Sequence, residues 1–450
     1  MAKVHKPTEF NVLLNQYGMQ VFELARTFKA VDDKGRYLHW DEFRRYPSAG
    51  VNKDAAWAAI KLSRACCSKS LELRSECGSP FFLYTTDFCD AVIHGIEKVT
   101  SQLGGAAASS PHYRDNAKYL VDALMMEEAI SSAQLEGAST TRKIAKDMLA
   151  KERAPQNDDE RMILNNYQLM KHAKYNKDES LSVALICEFQ SIATAGVDEQ
   201  DAHPGHIRED DDIFVGGPGD EVVHQPPNAS LLPARLEALC RFANDRHDGQ
   251  EGRPFIHPVV KAIILHFMIG YEHPFRDGNG RTARCLFYWF MLKSGYWPFE
   301  YISISTLLKE APMQYGRSYV HTETDGYDLT YFVIHQLRVI ERAIKAFLHH
   351  FERKRLEAVE LMAWVQTLQL NDGLNYRQGH FLKKLLQHPG RIFTPKELTH
   401  DYDISENTAR NDLEKWVGMK VLLKVQEGKG FLYIAGEDAE VNLKKIAGAR

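Results

Sequence analysis

A mainly α-helical chain holding two or three domains is what this sequence predicts, on three observations. Apolar residues recur at helical spacing in residues 11–30, 55–69, 259–271, 308–319 and 330–351. Alternation of β-forming residues is confined to short stretches, one near 213–215 and one over 421–434. The length of 450 residues is ample for a large core and too great for one ordinary domain.

Composition narrows the class further. Apolar and charged fractions of 44% and 26% are those of an ordinary globular protein. A net charge of −4 carries no overall footprint for nucleic acid or a membrane surface. The seven cysteines, Cys66, Cys67, Cys77, Cys89, Cys187, Cys240 and Cys285, include no C-x-x-C pair and no metal spacing, which suits reduced thiols. The first residues lack the apolar core of a secretion signal, and no apolar run reaches about 18 residues. The expectation is a cytoplasmic protein without a membrane partner.

In chain order, residues 1–110 read as an N-terminal helical region. The Ser79-Pro80 break precedes residues 81–96, whose later part is again helical, and Gly104-Gly105-Ala106-Ala107-Ala108-Ser109-Ser110-Pro111 reads as a linker. No chemistry is visible here, so packing or partner contact is the reading. Residues 115–137 form the next helix. There Met125, Met126, Ala129, Ala133 and Leu135 leave a polar face bearing Ser132 and Glu136, and Gly137 is a natural helix stop. Taken alone, Glu136 is a solvated acid facing the negative helix end, at a cost of roughly a few tenths of a kcal/mol. Residues 139–200 read as scaffold helices joined by the polar segment 154–160.

Glu209-Asp210-Asp211-Asp212 follows, read either as a solvated turn or as an attraction for basic targets. Ile213-Phe214-Val215-Gly216, with Gly217-Pro218-Gly219 behind it, predicts a short hairpin that His224-Gln225-Pro226-Pro227 terminates. Residues 259–271 then predict a buried helix, and 285–291 a second apolar run. Between them stands His273-Pro274-Phe275-Arg276-Asp277-Gly278-Asn279-Gly280-Arg281-Thr282-Ala283-Arg284. Its middle is too glycine-rich for a helix interior, so the expectation is helix, loop, helix, with the second helix starting near Gly280. Backbone N–H groups at a helix start lack intrahelical partners and attract anions. Arg281 and Arg284 share one face beside them, with His273 and Asp277 at the entrance. A base, a carboxylate, an amide cradle and two guanidiniums suit a nucleotide polyphosphate. A metal site on His266 and His273 fails for want of a third ligand.

Residues 351–375 read as a connector helix, and residues 376–450 change character. A short helix at 381–386, a capped helix from Thr394-Pro395, a third helix over 405–416 and a hairpin over 421–434 resemble a winged helix-turn-helix. Its reading helix carries Glu406, Asp412 and Glu414 against Arg410 and Lys415, a poor match to phosphates. DNA and a protein surface both stay open as its partner.

At eight fixed positions, His273, Phe275, Asp277, Gly278, Asn279, Gly280, Arg281 and Arg284, the central stretch matches the signature H-x-F-x-[DE]-G-N-G-R-x-x-R of the Fic family. At about 5% per residue type, that match arises by chance roughly once in 10¹⁰ sites. The resemblance implies a Fic-type helical core over residues 111–350 with a β-hairpin flap. It implies AMP transfer from ATP to a Ser, Thr or Tyr hydroxyl of a target protein, which could be the chain itself. His273 would be the general base and Asp277 would hold Mg²⁺. Gly278, Asn279 with its side chain, and Gly280 would cradle phosphates, while Arg281 and Arg284 serve the β- and γ-phosphates. Tyr315 would lie near the adenine and Phe275 would anchor the loop. Ile213, Phe214, Val215 and Gly216 would form a flap that fixes a target segment by strand addition. Ser132-x-x-x-Glu136-Gly137 resembles the family's inhibitory motif [ST]-x-x-x-E-[GN], on a helix of about 120–137, with Glu136 reaching Arg284. Two alternatives stay open: removal of AMP, with Glu136 positioning a water, and a nucleotide-sensing, DNA-binding regulator. Relatives of the family often dimerise, so a homodimer is compatible with the resemblance.

Overall fold

The computed structural model describes residues 4–46, 50–108, 125–197, 203–216, 222–371, 375–387, 392–402, 404–427, 430–435 and 442. The chain is mainly α and divides into two units, Met1–Phe347 and Leu348–Arg450. The first unit begins with α1 (Phe10–Tyr17), α2 (Met19–Leu24), α3 (Trp40–Phe43) and α4 (Lys53–Cys67), packed around Leu13, Val21, Trp57 and Ile60. A β1–β2 hairpin (Lys69–Arg74, Pro80–Leu83) and α5 (Asp87–Ala108) follow. This hairpin is an element that the mostly helical reading of the region did not include. In β1, Leu71 and Leu73 alternate with exposed neighbours, a strand signature too short to stand out beside a fifteen-residue helix. The expected linker is corrected in part, because α5 continues through Gly104 to Ala108; the three alanines favour helix enough to carry the two glycines. Its remaining positions, 109–111, lie outside the described residues, as does the start of the next helix.

That helix, α6, is described over residues 125–135, and Glu136 and Gly137 form the turn beyond it. It packs through Ile130 and Ala133 on α7 (Arg142–Ala150) and α8 (Asp158–Tyr175). After α9 (Val183–Thr194) come β3 (Val215–Gly216) and β4 (Val222–His224), an antiparallel pair in which Val215 faces His224. The expected flap is therefore narrower than 213–216: Ile213 and Phe214 precede the strand, and 217–221 lie outside the described residues. Then α10 (Leu232–Asn244) leads to the central pair, α11 (Pro258–Glu272) and α12 (Asn279–Lys293). Almost every residue of both is buried, which explains apolar runs with little amphipathic contrast. One expected helix over 308–319 is two, α13 (Ser305–Glu310) and α14 (Pro312–Thr324), because Pro312 cannot continue the first. Then α15 runs unbroken over Thr330–Asn371, including most of the expected connector.

The second unit contains α16 (Tyr376–Gln387), β5 (Ile392–Phe393), α17 (Pro395–Tyr402), α18 (Glu406–Gly418), β6 (Leu422–Glu427) and β7 (Gly430–Ala435). Its sheet order is β5-β7-β6, and Phe381, Phe393, Leu413, Trp416 and Tyr433 form its own core. Among the described residues no helix is long and apolar enough to cross a membrane.

One contact sets where the end of α11 lies. A Cβ placed on Gly270 would stand 2.8 Å from Tyr319 Cζ of α14, so the helices touch backbone to ring. On helix propensity alone, Gly270→Ala would stabilise by about 1 kcal/mol. The overpacking reverses the sign, and a net loss of about 1–3 kcal/mol is expected in urea unfolding; a gain would disprove the contact.

Candidate nucleotide site

The loop between α11 and α12 is built from the backbone outward. His273 ends α11 in the left-handed region, at φ 45°, and its N–H still reaches Ile269 O at 3.0 Å. Phe275 is fully buried and pins the loop to the core. Asn279 then closes the turn: its Oδ1 accepts the Phe275 N–H at 3.0 Å, and its Nδ2 donates to the Phe275 carbonyl at 2.6 Å. The Asn279 side chain is thus a brace for the loop, a role the sequence reading did not give it. Gly278 precedes α12 at φ 81°, and a Cβ there would lie 2.9 Å from Thr194 Cγ2, so only glycine fits on both counts.

The start of α12 carries no side-chain cap, as is also true of α1, α2, α10, α13 and α14. Asn52, Thr141, Asn157, Ser182 and Ser405 cap their helices with side-chain oxygens, whereas Gly278 offers none to α12. Its first N–H groups are left for an anion from elsewhere. The structure brings a carboxylate to that place. A Cβ on Gly280 would stand 2.9 Å from Glu136 Cδ and 3.1 Å from Arg284 Nη1, so glycine here makes room for both.

Arg284 is 1% exposed and held by α6: Nε donates to Ser132 Oγ at 2.8 Å, Nη2 to the Ser132 carbonyl at 3.1 Å, and Nη2 to Glu136 Oε1 at 2.8 Å. Burial works against its charge, but Glu136 outweighs that and raises its pKa. Arg281 is equally buried; it donates to Ala193 O at 2.7 Å and pairs with the Asp277 carboxylate. Arg284 Nη1 and Arg281 Nε are buried without a hydrogen-bond partner among the described residues. Two guanidinium N–H groups without acceptors fit an anion at this spot.

His273 is partly exposed, with Nδ1 3.4 Å from Gly270 O. Burial lowers its pKa to about 4, the nearby His224 pushes the same way, and Glu136 pushes back. The ring is therefore neutral at pH 7, as a base must be. Tyr315 turns its hydroxyl inward, 2.7 Å from His266 Nε2 and 3.4 Å from the Tyr319 hydroxyl, and Arg284 lies close by. His266 is wholly buried, and its pKa is pushed well below the ordinary value by that burial. Of the expected flap residues, Val215 and Gly216 are joined to this region through β4, while Phe214 stands 54% exposed.

Two residues with no expected role hold the loop from behind. Gln190, fully buried on α9, donates to Asp277 O at 2.9 Å and accepts the Gly205 N–H. Arg208, 4% exposed, donates from its backbone to Pro274 O at 2.9 Å and from Nε to His273 O at 3.0 Å. A glutamine inside the apolar segment Leu185-Ile186-Cys187-Glu188-Phe189-Gln190 was the only available sign of the first. The acidic run is also resolved as internal structure. Asp210 and Asp212 pair with Arg276, and Asp211 accepts from Arg208 and from the Ala229 N–H at 2.7 Å. Three of the four acids are thereby committed to holding this surface together.

The α6 helix is tied to its surroundings as firmly as the loop. Buried Glu128 accepts from Ser303 Oγ at 2.7 Å and from Ser305 at the start of α13, Ser131 meets Thr306 at 3.0 Å, and Asn166 of α8 donates to Ala129 O at 3.0 Å. Glu136 is thus delivered by a positioned helix.

Residues 180–291 match the Fic/DOC family model. The chain is similar to the curated protein adenylyltransferase Fic of Drosophila yakuba, 34% identical over 86 residues, or 19% of this chain and 15% of that protein. It is also similar to the protein of the same name from Drosophila virilis, 29% identical over 143 residues, or 31% of this chain and 27% of that protein. It therefore matches a minor part of the length of either. Among solved structures it is similar to a Fic family protein from Desulfovibrio desulfuricans, at TM-score 0.49 and 17% identity over 78% of this chain and 97% of that one. Fic-1 from C. elegans gives a TM-score of 0.47 at 16% identity, over 76% and 84% of the two chains.

A buried neutral imidazole makes stability depend on pH. Unfolded, His273 takes a proton near pH 6.5; folded, only near 4. Stability should therefore fall as pH drops through that window, by up to roughly 3 kcal/mol from this group. Comparing urea unfolding of wild type with His273→Asn from pH 7 to pH 4 isolates its share, and the variant should show the shallower slope.

Proposed function

The chain is a Fic family protein, and on that premise we propose that it is a protein adenylyltransferase held in check by Glu136. The observation that carries this reading is the start of α12, where an uncapped helix terminus and two under-partnered guanidiniums surround a carboxylate from another helix. Such a place suits a polyanion, and the Glu136 carboxylate stands in it as a surrogate anion.

In this reading ATP lies with its phosphates over Gly278, Asn279 and Gly280, taking backbone N–H groups from the start of α12. Arg281 and Arg284 neutralise the β- and γ-phosphates, and Tyr315 belongs to the wall nearest the base. Asp277, whose carboxylate here pairs with Arg281, would be the residue to hold Mg²⁺. When bound, that ion neutralises phosphate charge. The target hydroxyl gives its proton to the neutral His273 ring as its oxygen attacks the α-phosphorus. The bond from that phosphorus to the bridging oxygen breaks, and pyrophosphate leaves with the electron pair. The chain's own contribution is positioning and charge compensation. The β3–β4 hairpin, with Ile213 and Phe214 leading into it, offers a strand edge for an extended target segment.

Glu136 regulates by occupying Arg284. While the pair persists, the γ-phosphate finds no guanidinium and ATP settles in an unproductive pose. The closeness of Glu136 to His273, felt in the imidazole's pKa, also favours a second reading, in which the same carboxylate positions water to remove AMP. For the C-terminal unit, the helix-helix-helix-hairpin order supports a winged helix. Three of its described cations are paired locally: Arg410 with Glu406, Lys424 with Glu414 and Arg377 with Asp412. That favours protein contact over DNA phosphates.

The test is transfer of labelled AMP from ATP to protein. A charge-assisted hydrogen bond contributes about 1.5–3 kcal/mol, so Glu136→Gly should raise the rate roughly 10- to 100-fold. His273→Ala in that background should lower it by about 10²- to 10⁴-fold while ATP still binds. Equal rates with and without Glu136 would remove the switch. Release of AMP from a modified target by wild type alone would favour the second reading.

A further inference from the structure

Strand β4 ends on His224, a buried ring tilted against Tyr271 at 5.2 Å between centroids. Its Nδ1 lies 2.7 Å from Glu323 Oε2 of α14, and its Nε2 lies 2.7 Å from the Tyr271 carbonyl of α11. Both partners are acceptors. A neutral imidazole has one N–H, so it would set a lone pair against an oxygen lone pair in one of these contacts. Only the imidazolium donates to both. Glu323 has a matching need, because its other oxygen, Oε1, is buried without a hydrogen-bond partner among the described residues.

We propose that His224 is a positioning residue which, as an imidazolium, clamps the second strand of the β3–β4 hairpin to α11 and α14, fixing the strand edge two residues from the base-bearing end of α11. Its connection to a target rests on the adenylyltransferase reading; the clamp itself does not. The surrounding charges agree. Glu323 faces the ring from α14, and Glu272 lies beside it on α11, itself held by Arg235 of α10 at 2.6 Å. On the opposing side stand Arg208 of the loop before β3 and His273, which is neutral, while Tyr271 supplies its carbonyl and its ring. Burial disfavours the His224 charge, but the hydrogen bond and charge of Glu323 outweigh it, and the pKa rises above the ordinary 6.5. In return, the His224 charge lowers the pKa of His273 and keeps it available as a base. One cation therefore serves both strand placement and base readiness.

The sign follows from a folded pKa above the unfolded one. The clamp is fully formed below about pH 6.5 and is lost as pH rises through the higher folded value. In the full chain, histidine-labelled NMR should find both ring nitrogens of His224 protonated at about pH 6. Hydrogen exchange of the peptide over residues 213–225, corrected for intrinsic chemistry, should be at least about tenfold slower at about pH 6 than at about pH 9. His224→Gln and Glu323→Gln should both flatten that difference, the second with the histidine still in place. In a Glu136→Gly background, His224→Gln should raise KM for a protein target more than it lowers kcat. A neutral His224 at about pH 6, or hairpin exchange indifferent to both substitutions, overturns the clamp. An intact clamp signature in a Glu136→Gly protein that transfers no AMP would sink the adenylyltransferase reading and leave the clamp standing.

Discussion

The structure of the first unit depends on one electrostatic constraint: a helix start that nothing on its own element caps. A chain could satisfy the first turn of α12 with a serine, a threonine or an asparagine, as it does at five other helices. Instead it places Gly278 there and two buried guanidiniums within the next turn and a half. Buried cations without counter-charge are costly, so the concavity holds only because its surroundings supply anions. Asp277 answers Arg281, and Glu136 answers Arg284. The difference between the two answers is where function enters. Asp277 belongs to the loop and moves with it, whereas Glu136 comes from a separate helix.

Around that constraint the remaining elements act as supports. Gln190 and Arg208 hold the loop through the carbonyls of Asp277, His273 and Pro274. Asn279 turns both ends of its side-chain amide onto the Phe275 backbone. The division is physically sensible. A polyanion is gripped by N–H donors, and carbonyls pointing at it would repel it, so side chains that absorb carbonyls from behind contribute to the cradle without touching its contents. His224 extends the same logic to the hairpin, taking the Tyr271 carbonyl two residues before His273.

What the sequence made legible follows from how local each feature is. The helix-loop-helix over 259–291 was readable because its apolar runs and its glycines lie in one short stretch. The Arg284–Glu136 pair spans 148 residues, and only a resemblance to a known motif could connect them. Gln190 and Arg208 act on carbonyls 87 and 65 positions away, and a carbonyl has no letter in the sequence, so their roles were invisible. The β1–β2 hairpin was missed because a six-residue strand follows its helix after one intervening residue, and the 104–108 helix because glycine was weighted above three alanines. The bracing role of Asn279 was hidden for a related reason: an asparagine beside an anion site and an asparagine that braces a turn read alike until the backbone is placed.

A single carboxylate looks a weak opponent for a nucleotide polyphosphate, and in bulk solution it would be. Glu136 competes under better terms. Its helix is fixed by Glu128, Ser131 and the Asn166–Ala129 contact, so ordering it at the site costs little further entropy, and its effective concentration is that of a tethered ligand, on the order of millimolar or more. It also contests only one of the two guanidiniums. Arg281 and Asp277, paired with each other, lie outside that contact, so on the proposed reading nucleotide could still enter while the outermost phosphate is denied its partner. A device of this kind controls the pose of a substrate more than its occupancy. On that reading its natural point of release would be the contacts of α6 with α8 and with the start of α13, which lie away from Glu136 itself.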